Sequence, residues 1–546
     1  MSPRQEPAEK LKRFAFPFAR CKNQHSVKLL IVHHHFRPGG VRRVIELAAP
    51  AFASAIRPRA DCVTLATGEA PDVAWLRRFE ARMAPLPVTC RVAPSLNYLA
   101  EQRRPAGSVA RRLRRFLGEQ FRGLGRGLGV VWAHNQSLGR NPLLTRELAR
   151  ICAAHRVPLV LHHHDWWFDN RWIRWAEMRR AGFRTLAKAA KTIFVSGPDV
   201  RHVAINQPDA AILQRHFPRQ SGWVPNLMEP APRLPATRVG RARRWLRAEL
   251  GEDAPVWLLP CRLLRRKNIA EALLLSRWLR PEAWLVTTGG VSSTEERHYA
   301  ERLRAAARHH GWRLRLGLLQ GDERHKPPVP ELLAASEAVV LTSLQEGFGL
   351  PYLEAAAARR PLIARTLPNI APDLEQLGFR FPQGYADLLI APTLFDWQAE
   401  QRRQRRRFGQ WLKKLPRACR RLAGRPALLA LDATPRAVPF SRLTLTAQLE
   451  VLAHAPEKSW NLCAPFNLFL SGWRERAKRC ALRVTPWPRN ASHLLGERAC
   501  ARRFGAILAR RPASTPAGAS LAAQQEFIRR TLHGMNLYPL TWTTTP

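Results

Sequence analysis

Ala338-Val-Val-Leu-Thr-Ser-Leu-Gln-Glu346-Gly347-Phe348-Gly349-Leu350-Pro351-Tyr-Leu-Glu354 begins as a short apolar run, passes through a glycine-flanked phenylalanine and ends with a proline placed to start a helix. An apolar run of this length, bounded by turn residues, reads as a strand buried on both faces. Pro351 suits a first helical turn, where its missing N–H has no partner to lose. Strand, glycine loop and helix in that order make one unit of a parallel α/β sheet. In such sheets the loops leaving the carboxyl ends of the strands face the ligand crevice. Gly347 and Gly349 let backbone N–H groups come close to whatever lies there. The helix start offers an anion both donors and the positive end of the dipole.

The same rhythm extends in both directions. Strand-like runs at 256–260, 283–287, 314–319 and 361–364 alternate with helical stretches at 269–279, 295–309, 330–335 and 351–358. Upstream, runs at 27–32, 62–66, 130–133, 158–161 and 192–195 alternate with helical stretches at 41–52, 142–154 and 173–189. A proline-rich segment at 229–235 reads as the linker between the two series. With 546 residues the chain exceeds one hydrophobic core, since cores stop growing at roughly 250–300 residues. The expected fold class is therefore α/β, with two Rossmann-like doubly wound lobes at 27–228 and 229–380. A basic tail at 1–26 precedes them. A basic extension at 381–519, where the rhythm is lost, and a final segment at 520–546 follow.

Glu346 and Glu354 are separated by seven residues around Gly-Phe-Gly, and this spacing resembles the E-x7-E motif of retaining GT-B glycosyltransferases of the group 1, family 4 type. The resemblance implies that Glu346 contacts a donor sugar and Glu354 the donor ribose, while Gly349 and Leu350 at the helix start face the diphosphate. Leu259-Pro-Cys-Arg262-Leu-Leu-Arg-Arg-Lys267-Asn268, after the second lobe's first strand, resembles the family's Arg-x4-Lys segment. Arg262 and Lys267 would then hold the diphosphate, and preorganised cations are a strong way to stabilise such a leaving group. Pro38-Gly39-Gly40-Val41-Arg42 resembles the glycine loop that faces donor phosphate and acceptor. Leu161-His162-His163-His164-Asp165 resembles the His-Asp segment, and its sugar-facing role is carried to His164. Thr342 departs from the family where proline is common, and Arg359-Arg360 where small residues are usual.

The resemblance spans about 27–375 and places the acceptor on the first lobe and the nucleotide-sugar donor on the second. It implies a retaining hexosyltransferase with an unidentified glycan, lipid or small-molecule acceptor, and a helix at 521–532 that returns to the first lobe. No cofactor beyond the donor itself is implied. Cations in place of an Asp-x-Asp pair imply catalysis without a metal. The runs His33–His35 and His162–His164 could suggest a metal, but successive strand residues point to opposite faces, so each run gives at most two ligands to one side. No metal site is expected.

The formal charge of +48, from 89 basic and 41 acidic residues, is far beyond what solubility requires and suggests a polyanionic partner or a compositional habit of arginine use. The segment 399–421 holds ten basic residues and the single acid Glu400. A stretch at 109–124 spaces apolar residues three or four apart among arginines and could lie on an anionic membrane or pack on the sheet. No base-reading module is apparent, so no specific nucleic acid is expected. Nine scattered cysteines without a C-x-x-C pair fit a reducing compartment, and no apolar run reaches eighteen residues. A cytoplasmic place, peripheral at the inner membrane face, is the expectation. The competing reading is a non-catalytic basic GT-B scaffold that binds acidic lipid, polysaccharide or nucleic acid.

Overall fold

The computed structural model describes residues 27–542 apart from 123–128, 170–171, 231–232, 292–293, 322–324, 432 and 512–514; the basic tail at 1–26 lies outside the described residues. Two parallel sheets form the frame. The first holds β1 (Lys28–Val32), β2 (Cys62–Thr67), β3 (Val88–Val92), β4 (Gly129–His134), β5 (Leu159–His163), β6 (Val200–Ala204) and β7 (Ser221–Trp223) in the order β3-β2-β1-β4-β5-β6-β7. The second holds β8 (Val256–Leu259), β9 (Trp284–Thr287), β10 (Leu314–Arg315), β11 (Ala338–Leu341), β12 (Leu362–Arg365) and β13 (Gln383–Tyr385) in the order β10-β9-β8-β11-β12-β13. These are two Rossmann-like doubly wound lobes.

Each sheet reverses its winding at one place, between β1 and β4 in the first lobe and between β8 and β11 in the second. Crevices open at such switch points, beyond the carboxyl ends of the strands. The glycine loop follows β1, the Arg262–Lys267 segment follows β8 and the Glu346 loop follows β11. The topology thus brings the segments singled out in the sequence to the two crevice mouths.

Three local expectations differ from the fold, the first being the strand-like run at 314–319, of which only Leu314–Arg315 is strand. Residues 192–195 are no strand: Leu186–Ile193 is helical, and the strand is β6, whose Arg201 and His202 break the apolar run that a sequence scan looks for. The helical stretch at 173–189 is two helices, Ile173–Arg180 and Leu186–Ile193, parted by a turn in which Gly182 takes φ +92°. The helix Ala106–Phe121 buries Val109, Leu113, Leu117 and Phe121 in the core on one face of the first sheet. Its apolar stripe is therefore already used, and a role in dipping into a membrane falls away.

The extension is divided between both lobes. Residues from Leu388 to Leu495 add helices to the second lobe's core. Within this span, the basic helix Trp397–Lys414 buries Trp411 in the first lobe's core, with Arg402, Arg405 and Arg406 on the outside and Arg403 turned in to Glu400 and Glu450. The chain then returns. Helix Glu497–Ala509 buries Cys500, Phe504 and Ile507 against one face of the first sheet, and helix Ala519–Thr531 buries Ala523, Phe527 and Ile528 against the other. No helix among the described residues is long and apolar enough to cross a membrane.

Candidate active site

The second lobe's wall is built from the ends of β8 and β11. Lys267 is buried, and its ammonium contacts the Glu346 carboxylate. Arg266 Nη1 lies 3.3 Å from the other Glu346 oxygen and donates to the Gln345 carbonyl at 2.6 Å. Ser343 Oγ donates to Glu346 at 2.6 Å, and Asn369 Nδ2 donates to the Glu346 carbonyl at 2.5 Å. Burial pushes the Glu346 carboxyl up, but Lys267 and Arg266 outweigh it and hold it below the usual carboxylate range. Thr342 donates its hydroxyl to the carbonyls of Lys267 and Asn268 at 2.9 and 3.0 Å. That bond ties the cationic segment to the glutamate strand.

Gly349 caps the helix Leu350–Ala357 at φ +82°, and a Cβ there would meet Ile370 at 2.7 Å. Leu350 opens the helix, and Glu354 sits partly buried one turn in, its carboxylate without a hydrogen bond or ion pair among the described residues. Burial raises its pKa, which Arg43 of the first lobe and Lys267 only partly offset. Arg262 is exposed and lies along the Gly289 loop, where a Cβ would meet its Cγ at 3.0 Å. The structure brings Glu346 and Lys267 together and keeps Arg262 at the rim.

The first lobe supplies the opposing wall. His164 follows β5 and is buried, with Nε2 3.1 Å from Nδ1 of His134. Burial pushes its imidazole down to about 4, so it is neutral near pH 7. Gly347 reaches across: a Cβ on it would lie 2.9 Å from the His164 carbonyl oxygen, so only a glycine lets the loop come this close. Asn206 Nδ2 donates to the Gly347 carbonyl at 3.0 Å, and the Gln207 N–H donates to Asp373 at 3.0 Å. Gly39 and Gly40 are exposed at the start of helix Gly40–Ala55, and no heavy atom lies within 4 Å of a Cβ built on Gly40.

Between the walls lies a polar pocket of about 40 Å³ lined by His164, Asp165, Asn206, Arg266, Glu346 and Arg530 among others. Asn206, Arg266 and Arg530 were not singled out in the sequence. Arg266 is one of several cations in a row. Arg530 arrives on the returning C-terminal helix, where it pairs with Asp209, whose carboxylate also accepts from Trp166 Nε1 at 2.8 Å. No spacing in the sequence could link residue 530 to this cleft.

Residues 246–386 match the family model described as glycosyl transferases group 1. Among curated proteins, the chain is 25% identical over 249 residues to a mannosylglucosyl-3-phosphoglycerate synthase of Petrotoga mobilis, covering 44% of this chain and 47% of the relative. It is 28% identical over 261 residues to a mannosylglucosylglycerate synthase of Thermotoga maritima, covering 45% of this chain and 58% of the relative. The chain thus spans about half the length of the curated relatives it matches. Among solved structures, Anabaena HepE in complex with UDP and glucose is 18% identical with a TM-score of 0.45, covering 66% of this chain and 85% of that one. Residues 246–386, and with them the lobe that carries Glu346, Glu354, Arg262 and Lys267, belong to the glycosyl transferases group 1 family.

Proposed function

We propose that the protein is a retaining glycosyltransferase that moves a hexose from a nucleotide-diphosphate sugar to an acceptor bound on the first lobe. The observation that carries this reading is the meeting of Lys267, Arg266 and Glu346 with His164 at one cleft, beside an unpaired Glu354. Glu354 would accept from the ribose hydroxyls. Lys267, Arg262 and the N-terminus of helix Leu350–Ala357 would take up charge as the diphosphate leaves. Glu346 and neutral His164 would hold the sugar while its bond to phosphate loosens toward an oxocarbenium-like state. The acceptor hydroxyl would attack from the face the diphosphate leaves, which retains configuration. Because side-chain cations neutralise the diphosphate, the transfer would need no divalent metal.

The pocket of about 40 Å³ has room for only a few waters, whereas ligand pockets run to roughly 300 Å³ or more. Donor entry would therefore part the lobes at Gly347, and reclosure would exclude water from the reacting sugar. Both curated relatives are named for products that join a mannosyl to a glucosyl unit, which places mannose-bearing donors first in a screen. The test is a thermal-shift and hydrolysis screen across UDP-, GDP- and ADP-sugars, with and without EDTA, because a ligand that binds only the native state raises its melting temperature. One donor should stabilise the protein and turn over undiminished in EDTA. If none of them binds, the reading fails; activity lost in EDTA and restored by magnesium or manganese would end the metal-free mechanism.

A further inference from the structure

Three imidazoles collect on one face of the first sheet behind the cleft. β4 and β5 run parallel with His134 opposite His162, and His164, two residues on, falls on the same face because strand side chains alternate. His134 Nδ1 lies 3.1 Å from His164 Nε2, and one ring nitrogen from each of the three lies within 4.8 Å of the others. Beyond that bond the cluster is short of partners: Nε2 of His134 and both ring nitrogens of His162 are buried without any. Each neutral imidazole carries one donor and one acceptor, and buried polar atoms are nearly always paired. Three orphaned nitrogens at one spot point to an occupant.

The surroundings narrow its chemistry. Trp132 lies 4.1 Å from the His134 ring and Phe504 5.9 Å from the His162 ring, so this flank is aromatic. Hard cations need oxygen ligands, whereas an all-imidazole set suits zinc, copper, nickel or cobalt. Around a tetrahedral zinc with bonds of about 2.0–2.1 Å, ligand nitrogens stand roughly 3.3 Å apart. The His134–His164 pair is already near that spacing, and the widest separation would close by less than 2 Å through side-chain rotation. We propose that His134, His162 and His164 bind one borderline divalent cation, zinc or a late first-row neighbour, and that its occupancy withdraws His164 from the cleft. The withdrawal rests on the transferase reading; the site itself does not.

The test begins with chelator-stripped full-length protein. It is titrated with Zn²⁺ against a competing indicator and with Co²⁺ followed by visible absorption. One high-affinity equivalent per chain, the strong bands of four-coordinate Co²⁺ and a thermal shift with Zn²⁺ but not Mg²⁺ are expected. His162→Asn should weaken binding roughly 100-fold or more, while His163→Asn, on the opposite face, should keep it. Equal affinity in His162→Asn overturns the assignment. If that variant does not fold, the wild-type Co²⁺ spectrum decides, and absent or octahedral bands overturn the site. With a confirmed donor, one equivalent of Zn²⁺ should cut turnover by about tenfold or more, reversibly with chelator. Binding with unchanged turnover refutes only the withdrawal of His164. Binding without turnover of any donor refutes the transferase reading and leaves the metal site standing.

Discussion

The Lys267 ammonium and the Glu346 carboxylate touch each other in the cleft, so the cation proposed for the diphosphate is held by the carboxylate proposed for the sugar. Both side chains are at most a tenth exposed. Lys267→Met should cost about 3 kcal/mol, the low end for breaking a buried pair, because Arg266 and Ser343 still serve the carboxylate. The sign with pH follows from the depressed pKa of Glu346, whose ordinary value is 4.5. Its stabilisation is complete above that value and is lost as pH falls through the lower folded one. The melting-temperature gap between wild type and Lys267→Met should therefore be widest at neutral pH and narrow below pH 4.5. A gap that stays constant down to acid unfolding would show that the ion pair does not stabilise the fold.

The two glutamates should fail differently. Glu354→Gln should raise the donor KM by roughly 10- to 100-fold, the worth of a charge-assisted hydrogen bond, with kcat nearly kept. Glu346→Gln should lower kcat by about 100-fold or more with a smaller change in KM. Steady-state kinetics with the donor from the screen separates them. Identical profiles for the two variants would remove the distinction between ribose and sugar roles.

Gly347→Ala should push the lobes apart, because its methyl would meet the His164 carbonyl oxygen at 2.9 Å and Ile205 at 3.0 Å. Misplacement of reacting groups by about 1 Å can cost on the order of 100-fold in rate. Turnover should fall by that order while the melting temperature shifts little, since the clash lies between lobes. A variant with wild-type turnover would mean that the loop does not need to approach His164.

Acid should destabilise the protein early. Burial pushes His34 and His202 down to about 4, so in the folded state both stay neutral while unfolded histidine protonates near its ordinary value of 6.5. Stability from a base with a depressed folded pKa is complete above the unfolded value and is lost as pH falls toward the folded one. At pH 5 each residue costs roughly 2 kcal/mol, from about 1.5 units at 1.36 kcal/mol each. Chemical denaturation of EDTA-treated protein should show a steep loss between pH 6.5 and 5, with protons taken up on unfolding. A flat profile over that window would contradict neutral burial.

With the Ala106–Phe121 stripe packed inside, any attraction of this helix to membranes rests on its arginines. Binding to anionic vesicles at low salt should vanish at moderate salt, because exposed charges are screened beyond about 8–10 Å. Co-sedimentation at two salt concentrations checks this. Salt-resistant binding would require an apolar contact that the fold does not offer at this helix.

The fold class and both crevice mouths were legible because glycine loops after apolar strands are local features, and parallel sheets place such loops together. Glu346, Glu354 and Lys267 carried local signals of this kind. The spacing that singles out Arg262 could not show that Arg266, one residue before Lys267, reaches Glu346 while Arg262 stays at the rim. β6 was hidden because Arg201 is satisfied by carbonyls of the returning segment, Ile507 and Arg510, and so can be buried in a strand. The extension adds only Gln383–Tyr385 to the second sheet and a two-residue antiparallel pair, Leu389–Ile390 with Val438–Pro439; it lost its rhythm because its helices otherwise fill gaps on two existing cores.

The returning helices also set an order on synthesis. Phe504 packs edge-on against Phe52 at 4.7 Å and lies 5.5 Å from Trp132, so the first sheet's face is covered by residues made about 270 positions after β7 ends. At roughly 5–20 residues per second, a nascent chain would carry that aromatic face uncovered for about 15–60 s while the second lobe emerges and folds. The first lobe is thus translated first and finished last. Its exposed face would be open to chaperones or to a neighbouring nascent chain throughout that interval, and ribosomes stalled before residue 497 would hold the second lobe's sheet complete beside an unsealed first.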